Sequence, residues 1–175
     1  MRIIAGAYKG RNLRSPPSMQ VRPTSDRLRE TLFNVIAPRI EDTRFLDLCA
    51  GSGAVGIEAL SRGARHVTFV DRSRRSCQLI ESNVALCRIS EEQQVIYCTT
   101  ADDFLRQSKT FPWDIIFFDP PYKEDYLRTL DLLGGYEGLL IVEHHHKNIL
   151  PETIGTLVKR RVLKQGDSSL SFYEG

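Results

Sequence analysis

A carboxylate, two prolines and a tyrosine follow one another in this chain as Asp119-Pro120-Pro121-Tyr122. They come directly after Asp114–Phe118, a short run rich in β-branched and aromatic residues, which predicts a buried strand. The prolines end that strand, because proline has no N–H for the strand ladder and disfavours an immediate helix. We therefore expect these four residues at the carboxyl edge of a sheet, where open α/β folds bind ligands.

These residue types suit a flat substrate that carries an amino group. Asp119 and the Pro120 carbonyl can accept hydrogen bonds from an exocyclic NH₂, and Pro121 stiffens the backbone beside them. The Tyr122 ring can stack on a base, which is worth roughly 1–3 kcal/mol. We therefore predict Asp119, Pro120, Pro121 and Tyr122 as the catalytic set. The alternative is an ordinary strand end followed by a proline turn.

A glycine-rich turn forms the second candidate group. Gly51-x-Gly53-x-x-Gly56 follows one predicted strand and opens a helix, and Asp71 ends the next strand 20 residues after Gly51. In nucleotide-binding folds such glycines allow close backbone approach to the ligand, and the acid holds ribose hydroxyls. Asp47, just before the turn, would repel a pyrophosphate but attract the amino group of S-adenosylmethionine. This favours S-adenosylmethionine over a nicotinamide cofactor, with a purely structural turn as the alternative.

Further cofactor contacts are expected after the third predicted strand, within residues 99–103. Backbone groups and an acid there could bind an adenine edge. Asp103 either binds the adenine edge or caps its own helix, and the sequence does not favour one role over the other. The predicted cofactor-binding residues are Asp47, Ala50, Gly51, Ser52, Gly53, Asp71, Arg72, Thr100 and Ala101.

Strands and helices alternate along the chain from Thr43 onward. Repeated β-α units predict a parallel sheet with helices on both faces and right-handed crossovers. A final antiparallel hairpin is expected around Gly166-Asp167. We therefore predict an α/β, Rossmann-like fold with a seven-stranded, mostly parallel sheet. The predicted strands are Phe45–Cys49, His66–Val70, Val95–Cys98, Asp114–Phe118, Leu139–Glu143, Val158–Lys164 and Leu170–Tyr173, and the predicted helices are Val55–Ser61, Arg74–Leu86, Asp103–Gln107 and Tyr126–Leu133.

Positive charge is concentrated in residues 1–40, which carry a net charge of +6, whereas residues 41–175 carry −4. We expect a short hairpin or a pair of edge strands over residues 1–15, then a helix capped by Thr24 or Ser25 that runs to about Ile36 and is closed by Pro38. A basic extension on a mildly acidic domain (residues 41–175) is typical of proteins that bind a polyanion. A solvated basic surface without a partner is the alternative. The predicted substrate-binding residues are Lys9, Arg11, Arg22, Thr24, Arg27 and Arg29.

Composition limits the remaining possibilities. The chain has 175 residues, of which 41% are hydrophobic and 26% charged, as expected of a soluble globular protein. It contains neither a membrane-length apolar run nor a signal-peptide core, so we expect a cytoplasmic protein. Its four cysteines are widely spaced and are expected to be free thiols. His144-His145-His146 is interpreted as plain surface, and no metal is expected.

These residues resemble the class I S-adenosylmethionine-dependent methyltransferases and, more narrowly, the RsmD family. That family methylates the exocyclic N2 of a guanine in bacterial small-subunit (16S) rRNA, the guanine(966)-N2 type. The likeness covers essentially the whole chain, and the N-terminal arginine segment narrows it to this family. It is carried by Arg2–Gly6, Lys9–Arg11, Arg22–Thr24, Asp26–Asn34, Asp47–Leu60, Ser61–Ala64 and Asp119–Tyr122.

The resemblance implies a class I methyltransferase fold, S-adenosylmethionine as donor with S-adenosylhomocysteine as product, and 16S rRNA as partner, within the small subunit or an assembly intermediate. Two positions depart from the family pattern. Cys49 stands where relatives often carry an aromatic residue, and Thr100-Ala101 replaces a frequent acid–alanine pair, which leaves the adenine contact open.

Three other functions are compatible with parts of the pattern. An adenine-N6 methyltransferase acting on DNA or RNA shares the donor and the proline motif, but the DNA enzymes usually need a separate recognition domain. A nicotinamide dehydrogenase is disfavoured by Asp47 and the double proline. An RNA-binding module without activity would have no need of Asp119 and the glycine turn.

Overall fold

The computed structural model describes residues 1–17, 24–121 and 125–175. Eight strands form one mixed sheet, in the spatial order β3-β2-β1-β4-β5-β8-β7-β6. The first five strands are parallel, and the last three pair antiparallel. The strands are β1 (Arg44–Leu48), β2 (His66–Asp71), β3 (Gln94–Cys98), β4 (Ile115–Phe118), β5 (Leu139–His145), β6 (Thr153–Ile154), β7 (Leu157–Gln165) and β8 (Ser168–Glu174).

The α/β Rossmann-like fold predicted from the sequence is confirmed, with eight strands in place of seven. The additional strand is β6, which contains only two residues, Thr153 and Ile154, and pairs with the start of β7. Two residues are too few to show the alternation of apolar and polar side chains by which a strand is detected in a sequence. The mixed sheet is therefore one short edge strand wider than expected.

Five helices form within the described residues. They are α1 (Asp26–Ile40), α2 (Ala54–Ser61), α3 (Arg74–Leu86), α4 (Ala101–Gln107) and α5 (Leu127–Asp131). None of these five has the length and apolar character that a membrane crossing needs. Ser25 caps α1, since its hydroxyl accepts a hydrogen bond of 3.1 Å from the Leu28 N–H.

The predicted end of α1 is wrong. The helix continues through Pro38 to Ile40, whereas Pro38 was expected to close it. A proline near the carboxyl end of a helix removes one hydrogen bond, and here the continuation buries Ile40 in the core. Packing of that last apolar residue therefore outweighs the local preference of proline.

Two hydrophobic clusters lie on the two faces of the sheet. Alternate residues of each strand point to opposite faces, so Phe45 packs with α1, α2 and α3, whereas Leu46 packs with α4 and α5. The N-terminal segment belongs to the first cluster, because Ile3 and Leu13 are buried there. Backbone hydrogen bonds join Ile3 to Arg11 and Leu13 to Met1, which closes a small hairpin-like turn.

Glu58 of α2 ties this N-terminal turn to α1. Its carboxylate accepts hydrogen bonds from the N–H groups of Ile4 and Ala5, at 2.9 and 3.1 Å. It also pairs with Arg62 at 2.9 Å and with Arg29 at 3.4 Å. The side chains of Glu58 and Arg29 are both fully buried, so this cluster lies inside the protein.

The prediction that Arg29 binds substrate is therefore corrected. Besides Glu58, its guanidinium donates to Asp26 and to the Arg2 carbonyl. A guanidinium enclosed in this way has no surface to offer a phosphate. Arg29 instead fixes α1 against α2 and the N-terminal turn.

Candidate active site

The main cavity, of about 1090 Å³, lies at the carboxyl ends of the parallel strands. β1 pairs with β2 on one side and with β4 on the other, so the strand order reverses beside β1. Ligands of open α/β sheets bind at such a reversal. The predicted site residues that line the cavity are Thr24, Ala50, Gly51, Ser52, Asp71, Arg72, Thr100, Ala101, Asp119, Pro120 and Pro121.

The glycine turn between β1 and α2 forms one wall. Gly53 caps α2 in the left-handed conformation (φ +80°), which glycine adopts without strain. A Cβ at Gly56 would lie 2.4 Å from the Phe69 ring, so only glycine lets α2 pack this closely on β2. The turn thus owes its position to the helix packing behind it.

Asp47 lies beneath this turn and not in the cavity wall. Its side chain is buried and accepts a hydrogen bond of 2.9 Å from the Gly56 N–H. Burial raises the pKa of Asp47 to about 8, the nearby charges of Asp71 and Glu143 add to the rise, and the Gly56 hydrogen bond opposes it. The structure therefore gives Asp47 a supporting position, in place of the direct cofactor contact that was predicted. Gly53 likewise shapes the turn from behind the wall.

Asp71 ends β2 and faces the glycine turn. One carboxylate oxygen accepts a hydrogen bond of 2.9 Å from the Gly51 N–H, and the other accepts one of the same length from the Ser73 N–H. The acid and the glycine turn that the sequence singled out are therefore in direct contact. Asp71 is held at the cavity wall in a fixed orientation.

The wall beyond β3 is formed by the start of α4. The Thr100 hydroxyl caps this helix by accepting from the Asp103 N–H at 3.1 Å, so Asp103 is not the cap residue. Asp102, which lies in the predicted stretch 99–103 but was not among the predicted cofactor-binding residues, accepts hydrogen bonds from Arg128 at 3.0 and 2.8 Å and from the Thr129 hydroxyl. The hydrogen bonds from Thr129 and Arg128 lower the pKa of Asp102. These contacts join α4 to α5 across the cavity.

The opposite wall is formed by Asp119, Pro120 and Pro121, here called the acid–proline edge. Asp119 follows β4, and its N–H donates to the Leu48 carbonyl of β1 at 3.2 Å. The next residue, Pro120, is buried, whereas Pro121 is exposed at the mouth. Burial raises the pKa of Asp119 well above its usual range, and the charges of Glu143 and Asp47 raise it further. The predicted residues Tyr122 and Arg22 lie outside the described residues.

Glu143 is the functional candidate that the sequence reasoning missed. It lies in β5, is 5% exposed and lines the same cavity as Asp119. The Thr24 hydroxyl donates to Glu143 Oε2 at 3.0 Å and lies 3.5 Å from Asp119 Oδ2, the long limit for a hydrogen bond. Glu143 was the last residue of the predicted strand Leu139–Glu143, and an acid there was a usable signal, because the carboxyl ends of parallel strands meet at one edge of a sheet.

The remaining predicted basic residues lie on the surface of the N-terminal segment. Lys9 and Arg27 border a second cavity of about 450 Å³ together with Arg2. The Arg11 guanidinium lies over the Tyr8 ring and donates to the Cys87 carbonyl at 2.6 Å. Lys9, Arg11 and Arg27 are all exposed and are available to a polyanion.

The histidine run divides between interior and surface. His144 is buried, with Nε2 2.8 Å from the Ser171 hydroxyl, so its assignment to a plain surface is corrected. Burial lowers the pKa of His144. His145 and His146 are half-buried beside Asp167, and His145 Nδ1 lies 3.1 Å from the Lys147 N–H. All four cysteines lie among the described residues and form no disulfide there, as predicted.

A sheet of this order, with a glycine turn after β1, an acid ending β2 and an acid–proline edge after β4, is a Rossmann-like ligand-binding arrangement. Solved structures with the same fold are methyltransferases, which gives the class of this protein. The family model described as "Conserved hypothetical protein 95" matches residues 1–174. The chain belongs to this family, which is the RsmD family of methyltransferases.

Individual relatives agree with that assignment. The Ribosomal RNA small subunit methyltransferase D of Escherichia coli strain K12 is 43% identical over 86% of this chain and 78% of its own. YlbH of Bacillus subtilis, provisionally named an rRNA methyltransferase, is 39% identical over 99% of this chain and 98% of its own. The solved structure of yhhF from Escherichia coli, provisionally named a methyltransferase, has a TM-score of 0.86 at 37% identity and covers 99% of this chain and 96% of its own.

Proposed function

We propose that the protein transfers a methyl group from S-adenosylmethionine to the exocyclic N2 of a guanine in 16S rRNA, with guanine 966 as the expected position. One observation carries the proposal: the glycine turn with Asp71 and the acid–proline edge with Asp119 face one cavity. The names of the relatives support an rRNA substrate. The class of reaction follows from the site, and the particular base is the proposal.

The cavity suits a nucleoside-derived donor. Its volume of about 1090 Å³ is at the upper end for small-ligand pockets, so it has room for a ligand of that size. Asp71 would hold the ribose hydroxyls, the Gly51 and Ser52 backbone would approach the donor closely, and Thr100 and Ala101 would border the adenine. S-Adenosylmethionine supplies an electrophilic methyl group on a sulfonium, so the protein need only orient the two reactants.

The acid–proline edge would orient the amino group of the acceptor base. Guanine N2 is a poor nucleophile, because its lone pair is delocalised into the ring. Asp119 and the Pro120 carbonyl would accept hydrogen bonds from its two N–H groups. This would favour a pyramidal nitrogen with its lone pair directed at the methyl group. Asp119 would also stabilise the positive charge that develops on that nitrogen, an effect that is strongest in the transition state.

The basic surface of residues 1–40 would hold the RNA while the base enters the cavity. Lys9, Arg11 and Arg27 are exposed there, and the Thr24 hydroxyl of this extension donates to Glu143 and lies 3.5 Å from Asp119. Unstacking the base costs a few kcal/mol, which phosphate contacts and stacking would offset. We therefore propose residues 1–40 as an RNA-facing extension of a methyltransferase domain formed by residues 41–175.

The test compares acceptors and identifies the modified base. Purified protein and isotope-labelled S-adenosylmethionine are incubated with 16S rRNA, with small ribosomal subunits lacking the modification, and with duplex DNA. Nucleosides from each reaction are then separated. We expect N2-methylguanosine from the rRNA or subunit sample and no labelled base from DNA. Labelled N6-methyladenosine in any sample would contradict the proposal and support the adenine alternative.

A further inference from the structure

A second cavity, of about 450 Å³, lies between the N-terminal turn and α1. Residues 2–4 and Lys9 line it from the turn, and Asp26, Arg27 and Glu30 line it from α1. Its volume is within the range of pockets that hold a small ligand. The main cavity shares none of these residues, so the second cavity is a separate candidate site.

Hydrogen bonds of the Glu58–Arg29 pair fix both sides of this second cavity. Glu58 accepts from the Ile4 N–H at 2.9 Å and pairs with Arg29 at 3.4 Å. Arg29 in turn donates to the Arg2 carbonyl and, at 3.1 Å, to Asp26. The N-terminal turn and the start of α1 are thus tied together from behind, so the shape of the cavity is set before any ligand binds.

The cations at the second cavity are available to a ligand. Arg2, Lys9 and Arg27 are exposed, and within the part of the chain that the structure describes their side chains form no ion pair or hydrogen bond. Arg11 and Arg14 of the same extension differ, because their guanidinium groups donate to a backbone carbonyl at 2.6 Å and to a serine hydroxyl at 2.9 Å. Three such cations around one concave surface attract phosphate groups.

Glu30 indicates that the ligand is more than a phosphate. Its carboxylate is exposed at the same cavity and has no ion-pair partner among the described residues, whereas Asp26 is paired with Arg29. A carboxylate repels phosphate but accepts hydrogen bonds from the N–H groups of nucleobases, as Glu does from the cytosine amino group. Cations together with an acid therefore fit a whole nucleotide better than a free phosphate.

The second cavity lies close to the acceptor edge of the main cavity. Thr24 lines the main cavity and donates to Glu143 there, whereas Asp26, two residues further on, lines the second cavity. Two residues of chain span at most about 7 Å. Successive nucleotides of one stacked strand are about 3.4 Å apart. The two cavities can therefore hold nucleotides that lie close together in one strand.

We propose that the second cavity binds a nucleotide near the target base in the same RNA strand, with Lys9 and Arg27 on its phosphates and Glu30 on an amino group of its base. The inference rests on the proposed RNA substrate. Phosphate contacts set the register of the strand, so they would direct the target base towards Asp119. Glu30 would favour adenine, guanine or cytosine over uracil at this nucleotide, because uracil has no exocyclic amino group.

The phosphate contacts are tested with Arg27→Gln and Lys9→Gln, each made singly. The acceptor is whichever of 16S rRNA and small ribosomal subunits the unmodified protein methylates, and its dissociation constant is measured by filter binding over a range of salt concentrations. We expect each variant to raise this constant at least about fivefold and to lower the salt slope by about one, since each lost phosphate contact removes about that much. The dissociation constant of the donor and the transfer rate at saturating acceptor should stay within about twofold.

Arg14→Gln is the matched control, because it removes one exposed positive charge from the same extension outside the second cavity. We expect it to change the dissociation constant of the acceptor by less than about twofold. Equal effects of Arg14→Gln, Arg27→Gln and Lys9→Gln would show that charge acts diffusely, and would overturn the proposal that the cavity binds a nucleotide. Failure of the unmodified protein to methylate either acceptor would instead contradict the proposed function.

Glu30→Gln tests the base contact by the sign of its effect. If the cavity bound phosphate alone, removing this negative charge would strengthen binding of the acceptor. If Glu30 accepts a hydrogen bond from a base, the weaker amide acceptor should raise the dissociation constant by about threefold or more. A constant that is unchanged or lower in Glu30→Gln would overturn the base contact.

Discussion

At the scale of single residues, the charged side chains divide by what surrounds them. The Glu58–Arg29 pair is enclosed, is matched by opposite charge and by backbone donors, and holds the N-terminal turn in place. Asp119 and Glu143 line the cavity instead, where the Thr24 hydroxyl lies within 3.5 Å of both. The first pair is therefore structural, whereas the two acids border the candidate site.

Replacing Arg29 tests this distinction. Arg29→Met would leave the Glu58 carboxylate buried with only Arg62 as its cationic partner, and we expect a loss of about 3–5 kcal/mol in the free energy of unfolding. Urea denaturation followed by circular dichroism measures it. Arg27→Met, at the exposed neighbouring position on α1, should change stability by less than about 0.5 kcal/mol. Equal stability of the two variants would show that Arg29 is not a structural ion-pair residue.

At the scale of elements, the cofactor wall depends on how closely α2 approaches β2. Gly56 permits this approach, because a side chain there would meet the Phe69 ring at 2.4 Å and Val67 at 2.8 Å. The Gly56 N–H also donates a hydrogen bond to Asp47. Side-chain packing and the buried acid therefore both hold α2 at Gly56. The position of the glycine turn thus depends on packing in the core beneath it.

A methyl group at Gly56 should therefore disturb the turn. We expect Gly56→Ala to lower the free energy of unfolding by about 1–3 kcal/mol through overpacking. Affinity for the donor should fall as well, because displacement of α2 moves the Gly51–Ser52 backbone. Gly135→Ala is the control, since no atom lies within 4 Å of a Cβ at that position. Thermal unfolding and donor titration compare the two, and identical results for both variants would contradict this account of the wall.

At the scale of the whole molecule, the fold and most of the wall could be predicted from the sequence. Repeated β-α units and the glycine turn are local patterns, and they placed Gly51, Asp71 and Asp119 around one cavity correctly. Glu143 was missed, because its place beside Asp119 depends on which strands become neighbours, and the contact of Asp102 with α5 depends on helix packing in the same way. Arg29 was misassigned for a related reason, because the sequence does not show that Arg29 pairs with a buried Glu58. The roles of these residues depend on contacts between parts of the chain that are distant in sequence, and composition does not reveal such contacts.

The central claim is that Asp119 presents the substrate amino group to a methyl donor bound across the same cavity. It is tested most directly by Asp119→Ala, with donor affinity and single-turnover methyl transfer to 16S rRNA measured separately. We predict a donor dissociation constant within about threefold of the unmodified protein and a transfer rate lower by at least about 100-fold. A transfer rate equal to that of the unmodified protein would contradict the claim.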